Sequence, residues 1–327
     1  LRPILAGRGA VFVLHRAAPR GHRVLDPDTM VTADVLDEAL TIARREGYAP
    51  IALDDLPSHL SRPSGRFVAF TFDDGYRDNL RVALPVFREH RAPLALYVTT
   101  GLVERTACYW WGALARLIGS RAELDLHQLG VPATLPTDSW TDQQTAYARL
   151  EAWVHEDLES RAEIMEAWCG KQGVDGRGVL NDDVLTWDEL REMARDPLVT
   201  IGAHGVTHRR LALLGDDEAG RELKESRRRL ESELNRPIRH LAYPYGGAAA
   251  CAEREFRLAS EAGYLTAVTT RRGNLFAEHA GFLTALPRRR LTEGRPDLRT
   301  LRRSLSGTDW FLRRGPRVVT PMSGERR

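Results

Sequence analysis

Lysine is almost absent from this chain: of 47 basic residues only Lys171 and Lys224 are lysines, and the rest are arginine. That bias reads as the mark of a GC-rich genome rather than of a function. Forty-five acidic residues bring the formal charge to only +2, so the molecule has no strong electrostatic attraction for nucleic acid or an anionic membrane. Cysteine is scarce too. Cys108, Cys169 and Cys251 are odd in number and widely spaced, which excludes a disulfide framework and a cysteine-based metal site. Free thiols suit a reducing compartment, and the start, Leu1 to Arg8, has no signal-peptide pattern. The expected location is therefore cytoplasmic, although a chain that begins with Leu rather than Met is compatible with a removed leader. No apolar run is long enough to span a bilayer, and no repeat or low-complexity tract is evident. What remains is an ordinary globular composition, 43% apolar and 28% charged over 327 residues. That length is generous for one simple domain and short for two full-sized ones.

Short apolar runs alternate with amphipathic stretches. Strands are expected at 10–14, 50–53, 67–72, 93–98, 198–203, 238–243, 265–269 and 282–286. Helices are expected at 32–47, 79–90, 186–195, 216–235 and 250–262, the third opening with the capping box Thr186-Trp187-Asp188-Glu189. This rhythm indicates parallel βα units, and seven or eight strands suffice for a closed or nearly closed barrel. Residues 102–185 break the rhythm. They hold five of the seven tryptophans (Trp110, Trp111, Trp140, Trp153 and Trp168), read as helical without a convincing strand, and sit on the loop after the 93–98 strand. Loops at that end of a barrel border the active face, so the insertion is expected either to wall a cleft or to form a helical subdomain with its own aromatic core. The arginine-rich tail, 291–327, is expected to pack loosely.

Two runs carry chemistry. Phe67–Phe72 ends in Asp73-Asp74-Gly75, two carboxylates at the end of a buried strand with a glycine that permits a sharp turn. Such carboxylates are costly unless compensated, as a cation would do, although Asp also opens ordinary turns. The 198–203 strand ends in His204-Gly205-Val206-Thr207-His208. Two imidazoles and one carboxylate at converging strand ends make a three-ligand metal site with an open position.

Thr71-Phe72-Asp73-Asp74-Gly75 and the paired histidines resemble the first two signatures of the polysaccharide deacetylases of carbohydrate esterase family four, the NodB-homology domain. Ala242-Tyr243-Pro244-Tyr245-Gly246 resembles the third, and the likeness runs over about 10–290. The resemblance implies an α/β fold, a distorted (β/α)7-8 barrel, and removal of acetyl groups from sugars. It further implies that Asp74, His204 and His208 hold a divalent metal, zinc or else cobalt or nickel. Asp73 would then be the general base, and the backbone N–H of Tyr245, within the Tyr243-Pro244-Tyr245 turn, would stabilise the oxyanion.

Three positions depart from the family pattern. Gly205 stands where a Ser or Thr steadies the histidine loop, so a modest loss of rigidity is expected. Ala242 replaces the arginine that pairs with the base, and Arg288 is the expected substitute. The late strand carries no histidine acid, which leaves His15, at the end of the first strand, as the candidate proton donor. The implied substrate is an N-acetylated glycan, such as a chito-oligosaccharide or a lipid-linked intermediate. Two other readings stay open: a C–N hydrolase acting on a small cyclic amide at the same site, which would favour a closed pocket, and a glycan-binding protein without catalysis.

Overall fold

The computed structural model describes residues 6–62, 65–292 and 298–308. Eight parallel strands form its main sheet: β1 (Gly9–Leu14), β2 (Ala49–Pro50), β3 (Phe67–Phe72), β4 (Leu94–Val98), β5 (Val199–Ala203), β6 (His240–Ala242), β7 (Thr266–Arg272) and β8 (Leu286–Arg290). They run in the order β1-β8-β7-β6-β5-β4-β3-β2, and β1 also pairs with β3 along its whole length, from Gly9↔Phe67 to Leu14↔Phe72. That pairing closes a seven-stranded parallel barrel. The two-residue β2 lies outside the ring, pairing only with Phe67 and Val68. Every residue of β1, β3 and β4 is buried, as expected of strands covered on both faces.

Helices α1 (Ala33–Arg45), α2 (Leu84–Glu89), α7 (Trp187–Ala194), α8 (Asp216–Leu234) and α9 (Glu253–Glu261) surround the ring. The capping box predicted for α7 is present, with Thr186 and Glu189 satisfying each other's backbone N–H groups. A π-turn over Asn79–Ala83 leads into α2. Pro85 lies one residue into α2 and lacks an N–H, so a regular α turn cannot continue through it, and the wider turn takes up the misfit.

Four expectations require correction. Of the 50–53 stretch only Pro50 is strand, as the second residue of Ala49–Pro50, and Leu53–Asp55 turn into a 3₁₀ helix. The last strand is Leu286–Arg290 instead of 282–286; Phe282 is 62% exposed, whereas Arg288 and Arg289 are buried within the strand. Backbone pairing set that boundary, and apolarity did not. The insertion contains α3 (Trp110–Ile118), α4 (Trp140–Glu156), α5 (Leu158–Lys171) and α6 (Gly176–Asp183), and also an antiparallel hairpin, Glu123–Asp125 with Thr134–Pro136. Finally, α10 (Leu298–Ser306) does not lie loose. Leu301 and Leu305 are buried in the main core, and the Tyr48 hydroxyl donates to the Leu305 carbonyl at 2.8 Å. Residues 309–327 lie outside the described residues.

Gly202 in β5 sets the approach to the histidine loop. A Cβ there would meet the Tyr97 ring at 2.5 Å and the His240 carbonyl oxygen at 2.8 Å, both in the packed interior. Gly202→Ala is expected to lower stability by about 1–3 kcal/mol through overpacking, read as a lower urea midpoint with an unchanged slope. An unshifted midpoint would mean that the barrel absorbs the methyl group without strain.

Candidate metal centre

The chain turns abruptly at the end of each strand that carries a motif. Asp74 (φ 77°), His208 (φ 58°) and Tyr245 (φ 61°) all lie in the left-handed region. Non-glycine residues seldom adopt it, and such positions cluster at functional sites. The first residues of β4's exit loop hold two of these turns together: Thr99 N–H donates to the Asp74 carbonyl at 3.3 Å, and Thr99 Oγ1 donates to the His204 carbonyl at 3.2 Å.

Asp74, His204 and His208 converge, their ligand atoms all within 4.8 Å of one another. Asp74 Oδ1 lies 3.4 Å from His204 Nε2 and 3.3 Å from His208 Nε2, and it is buried without a hydrogen bond. The Nδ1–H of His204 donates to the Ala242 carbonyl at 2.8 Å. That bond fixes the tautomer and leaves the Nε2 lone pair facing Asp74. An orphaned buried carboxylate oxygen facing two imidazole nitrogens fits a divalent ion of the zinc type. Burial alone would raise the Asp74 carboxyl, but the imidazoles of His208, His15 and His204 outweigh it and hold it well below the usual carboxylate range. Burial lowers His204 to about 4, against the pull of Asp73.

Asp73 faces the same group, its Oδ2 3.9 Å from His204 Nε2. Arg288 donates to both of its oxygens, Nη1 to Oδ1 and Nη2 to Oδ2, each at 2.7 Å. The guanidinium also donates from Nη1 to Thr71 Oγ1 at 3.0 Å and from Nε to the Thr269 carbonyl at 2.9 Å. Both partners are about 1% exposed. Burial would raise the Asp73 carboxyl, and Arg288 more than offsets it, so the group lies below its ordinary value. The structure thus sets Arg288 against Asp73, while Ala242 contributes only its carbonyl to His204.

The histidine loop that contains Gly205 is tied to a neighbouring helix. Glu222 of α8 accepts from the N–H groups of Val206 (2.7 Å) and Thr207 (3.0 Å) and from the Thr207 hydroxyl (2.8 Å). Gly205 itself has φ 74°, and a Cβ there would come within 3.2 Å of Glu222 Oε2. Glycine fits where a side chain would crowd the carboxylate that steadies the loop.

A cavity of about 460 Å³ opens over the centre, lined by Asp73, Asp74, His204, His208, His15 and Tyr245 and by groups of the insertion. Tyr245 packs its ring 4.9 Å from that of His208. His15 reaches the cavity with its Nδ1 buried and unpartnered. Tyr243 and Pro244 are not among the lining residues. The Tyr243 ring is buried and its hydroxyl donates to the Thr284 carbonyl at 2.8 Å, and Pro244 packs next to Gly205. Sequence reasoning missed His155 and Arg210. The available signal was a stripe along α4, Tyr147, Glu151 and His155 at four-residue spacing, which puts all three on one helical face. Arg210 Nη2 donates to His155 Nδ1 at 3.2 Å.

The family model for polysaccharide deacetylases matches residues 61–267. The chain belongs to the polysaccharide deacetylase family. Family membership makes it a hydrolase of the class that deacetylates glycans. Among solved structures of similar fold are the Streptococcus pyogenes deacetylase PplD in complex with acetate (20% identical, 90% of this chain and 98% of that one, TM-score 0.58) and IcaB from Ammonifex degensii (15%, 91% and 97%, 0.56). A de-N-acetylase from Aggregatibacter actinomycetemcomitans is also similar (13%, 90% and 99%, 0.54). At these identities the likeness carries the fold alone. A comparison with curated proteins found no match.

The buried groups give the metal-free protein a defined pH response. His204 at about 4 in the fold, against an ordinary 6.5, means that the unfolded chain takes up a proton between those values that the folded chain refuses. Stability therefore falls as pH drops through that window. The depressed Asp73 and Asp74 carboxyls add stability that is present above about pH 4 and is lost below it. Urea unfolding in a chelator at pH 7, 5.5 and 4.5 should show a progressive loss that His204→Gln flattens; a level profile would contradict the burial of a neutral imidazole.

Proposed function

We propose that this chain is a divalent-metal-dependent hydrolase that removes the acetyl group from an N-acetylated amino sugar of a glycan. The observation that carries the reading is the convergence of Asp74, His204 and His208 beside an Asp73 that Arg288 keeps ionised. Asp74 Oδ1 and the two Nε2 atoms would hold the ion, zinc or another cation that accepts this donor set, such as cobalt or nickel. When bound, the ion supplies a Lewis acid for the scissile carbonyl and the attacking water.

Asp73 acts as the general base. Its Oδ2, on the side of the imidazoles, keeps a second lone pair free of Arg288, and takes the proton from the water. A carboxylate that ligates the ion cannot also serve as a free base, which is why two adjacent aspartates are needed. The backbone N–H of Tyr245, in the left-handed turn next to His208, is assigned to the developing oxyanion.

Two further histidines line the cavity, and only one suits proton donation. Arginine has no lone pair, so Arg210 must donate to His155 Nδ1, and the proton of His155 lies on Nε2. Protonating that ring would break the bond and set a second cation beside the guanidinium; burial and Arg210 accordingly lower its pKa. His15 is free of such a partner at Nδ1 and is assigned to protonate the leaving amine. The cavity runs out to the exposed residues Asp28 and Arg290, which favours a glycan over a small cyclic amide that would need enclosure.

Metal-replete protein should release acetate from N-acetylglucosamine oligomers, and Asp73→Asn should abolish this while metal analysis still finds the ion bound. Full activity in Asp73→Asn would refute the assignment of the base. His15→Gln should lower kcat by about 10²–10⁴-fold on the amide and far less on p-nitrophenyl acetate, whose leaving group needs no proton. Equal losses on both substrates would remove His15 from the role of acid.

A further inference from the structure

The cavity does not end at the metal ligands. Its far end is formed by Asp26 and Asp28 from the loop before α1, by Tyr147 and Glu151 from α4, and by Arg290 at the end of β8. The loop and the helix are tied together: Gln144 Nε2 donates to the Val24 carbonyl at 3.2 Å. Asp26 organises its own loop, accepting from Asp28 N–H at 2.9 Å and from the Thr29 hydroxyl at 2.5 Å. These carboxylates are therefore held in place from two separate parts of the chain.

Their charge is not balanced. Three carboxylates face one guanidinium, and Arg290 pairs with Asp28 Oδ2 at 3.3 Å. Glu151, half-buried, makes no hydrogen bond or ion pair among the described residues, and its carboxyl is pushed up to about 7 by burial and by Asp26 and Asp28. Tyr147 is 7% exposed, lies within the field of Glu151 and Asp26 and the opposing field of Arg16, and its hydroxyl has no hydrogen-bond partner among the described residues. An unpartnered hydroxyl on a nearly buried side chain and an unpaired carboxylate, both lining the cavity, leave hydrogen-bonding capacity for a ligand. A metal ion does not fit, because among the described residues only Asp74, His204 and His208 come close enough together to hold one.

We propose that this end of the cavity is a subsite for the ammonium group of an unacetylated amino-sugar residue, so that the substrate is a glycan carrying both acetylated and free amines. An ammonium offers three donors and a full positive charge, matching the Glu151 carboxylate, the Tyr147 hydroxyl and the net negative charge that Asp26 and Asp28 keep beside Arg290. A neutral sugar hydroxyl satisfies the hydrogen bonds but not the charge. The inference rests on the deacetylase reading, because a free amine on a sugar is what that reaction leaves behind. A chain already opened at one residue would then be drawn in for attack at another.

The test separates the subsite from the catalysis. Binding of the fully deacetylated glucosamine trimer to metal-free protein is measured by calorimetry at low and high salt, beside the N-acetylglucosamine trimer. The glucosamine trimer should bind about tenfold more tightly, with the advantage shrinking in high salt and falling to near unity in Glu151→Gln and in Asp28→Asn. Circular dichroism confirms that both variants are folded. In turnover, a trimer with one acetylated residue should show a higher kcat/KM than the fully acetylated trimer, and Glu151→Gln should erase that ratio. Equal binding of the two trimers, or an undiminished preference in both variants, overturns the proposal. So does calcium binding that Glu151→Gln abolishes, since it would make the cluster a metal site. If the glucosamine trimer binds as expected and no oligomer releases acetate, the subsite stands and the deacetylase reading fails.

Discussion

Everything at the active face depends on one buried ion pair, Arg288 with Asp73. The partners are 215 positions apart, on the last strand and just past the third, with β1 between them in the ring. The guanidinium spans that gap inside the barrel, collecting the Thr71 hydroxyl, which itself donates to the Phe12 carbonyl, and the Thr269 carbonyl on the way. A pair removed from water survives only with good geometry and with its remaining donors satisfied, and removing one partner typically costs about 3–5 kcal/mol. Here both carboxylate oxygens are met at 2.7 Å. The same contact both completes the packing of the ring and sets the charge on the group assigned as base.

The parts of the fold that were legible in the sequence follow one physical rule. Phe67–Phe72 and Leu94–Val98 are buried on both faces, so they had to be continuously apolar, and they announced themselves. Asp73, Asp74, His204 and His208 could be picked out because polar groups directly after such runs are conspicuous. Where the rule fails, so did the reading. β8 carries Arg288 and Arg289 into the interior against side-chain partners, Thr71 and Asp73 for the first and Asn274 for the second, and no apolar pattern marks that. The three-residue strands of the insertion hairpin bury only Leu124 and Leu135. Tyr147, Glu151 and His155 line the cavity from a helix that also serves a local core, to which Tyr147 itself belongs, so nothing set their stripe apart from an ordinary amphipathic helix. Arg288 could be suspected as the substitute for a missing arginine, but not which oxygens it would bind.

The turns after β3, β5 and β6 give the centre its rigidity by a different route. Left-handed residues reverse the chain within a single step, and the loops are then pinned from outside, by Thr99 at one turn and by Glu222 at another. The backbone thus holds the three candidate ligand atoms in place. Preorganisation of this kind keeps the reorganisation cost out of binding.

The insertion has its own hydrophobic centre, built from Trp110, Leu114, Leu117, Leu150, Met165 and Trp168, and yet it supplies Trp110, Trp111, Tyr147, Glu151 and His155 to the cavity. Wall and floor thus draw on partly different cores, joined where Trp111 and Val174 pack against both. On the reading proposed above, substitutions on the cavity side of α4 would alter the wall of the cavity without touching the ring that holds Asp73 and Arg288. Under that reading the choice of glycan is open to change through the wall, while the strand-end residues that carry the hydrolysis stay as they are.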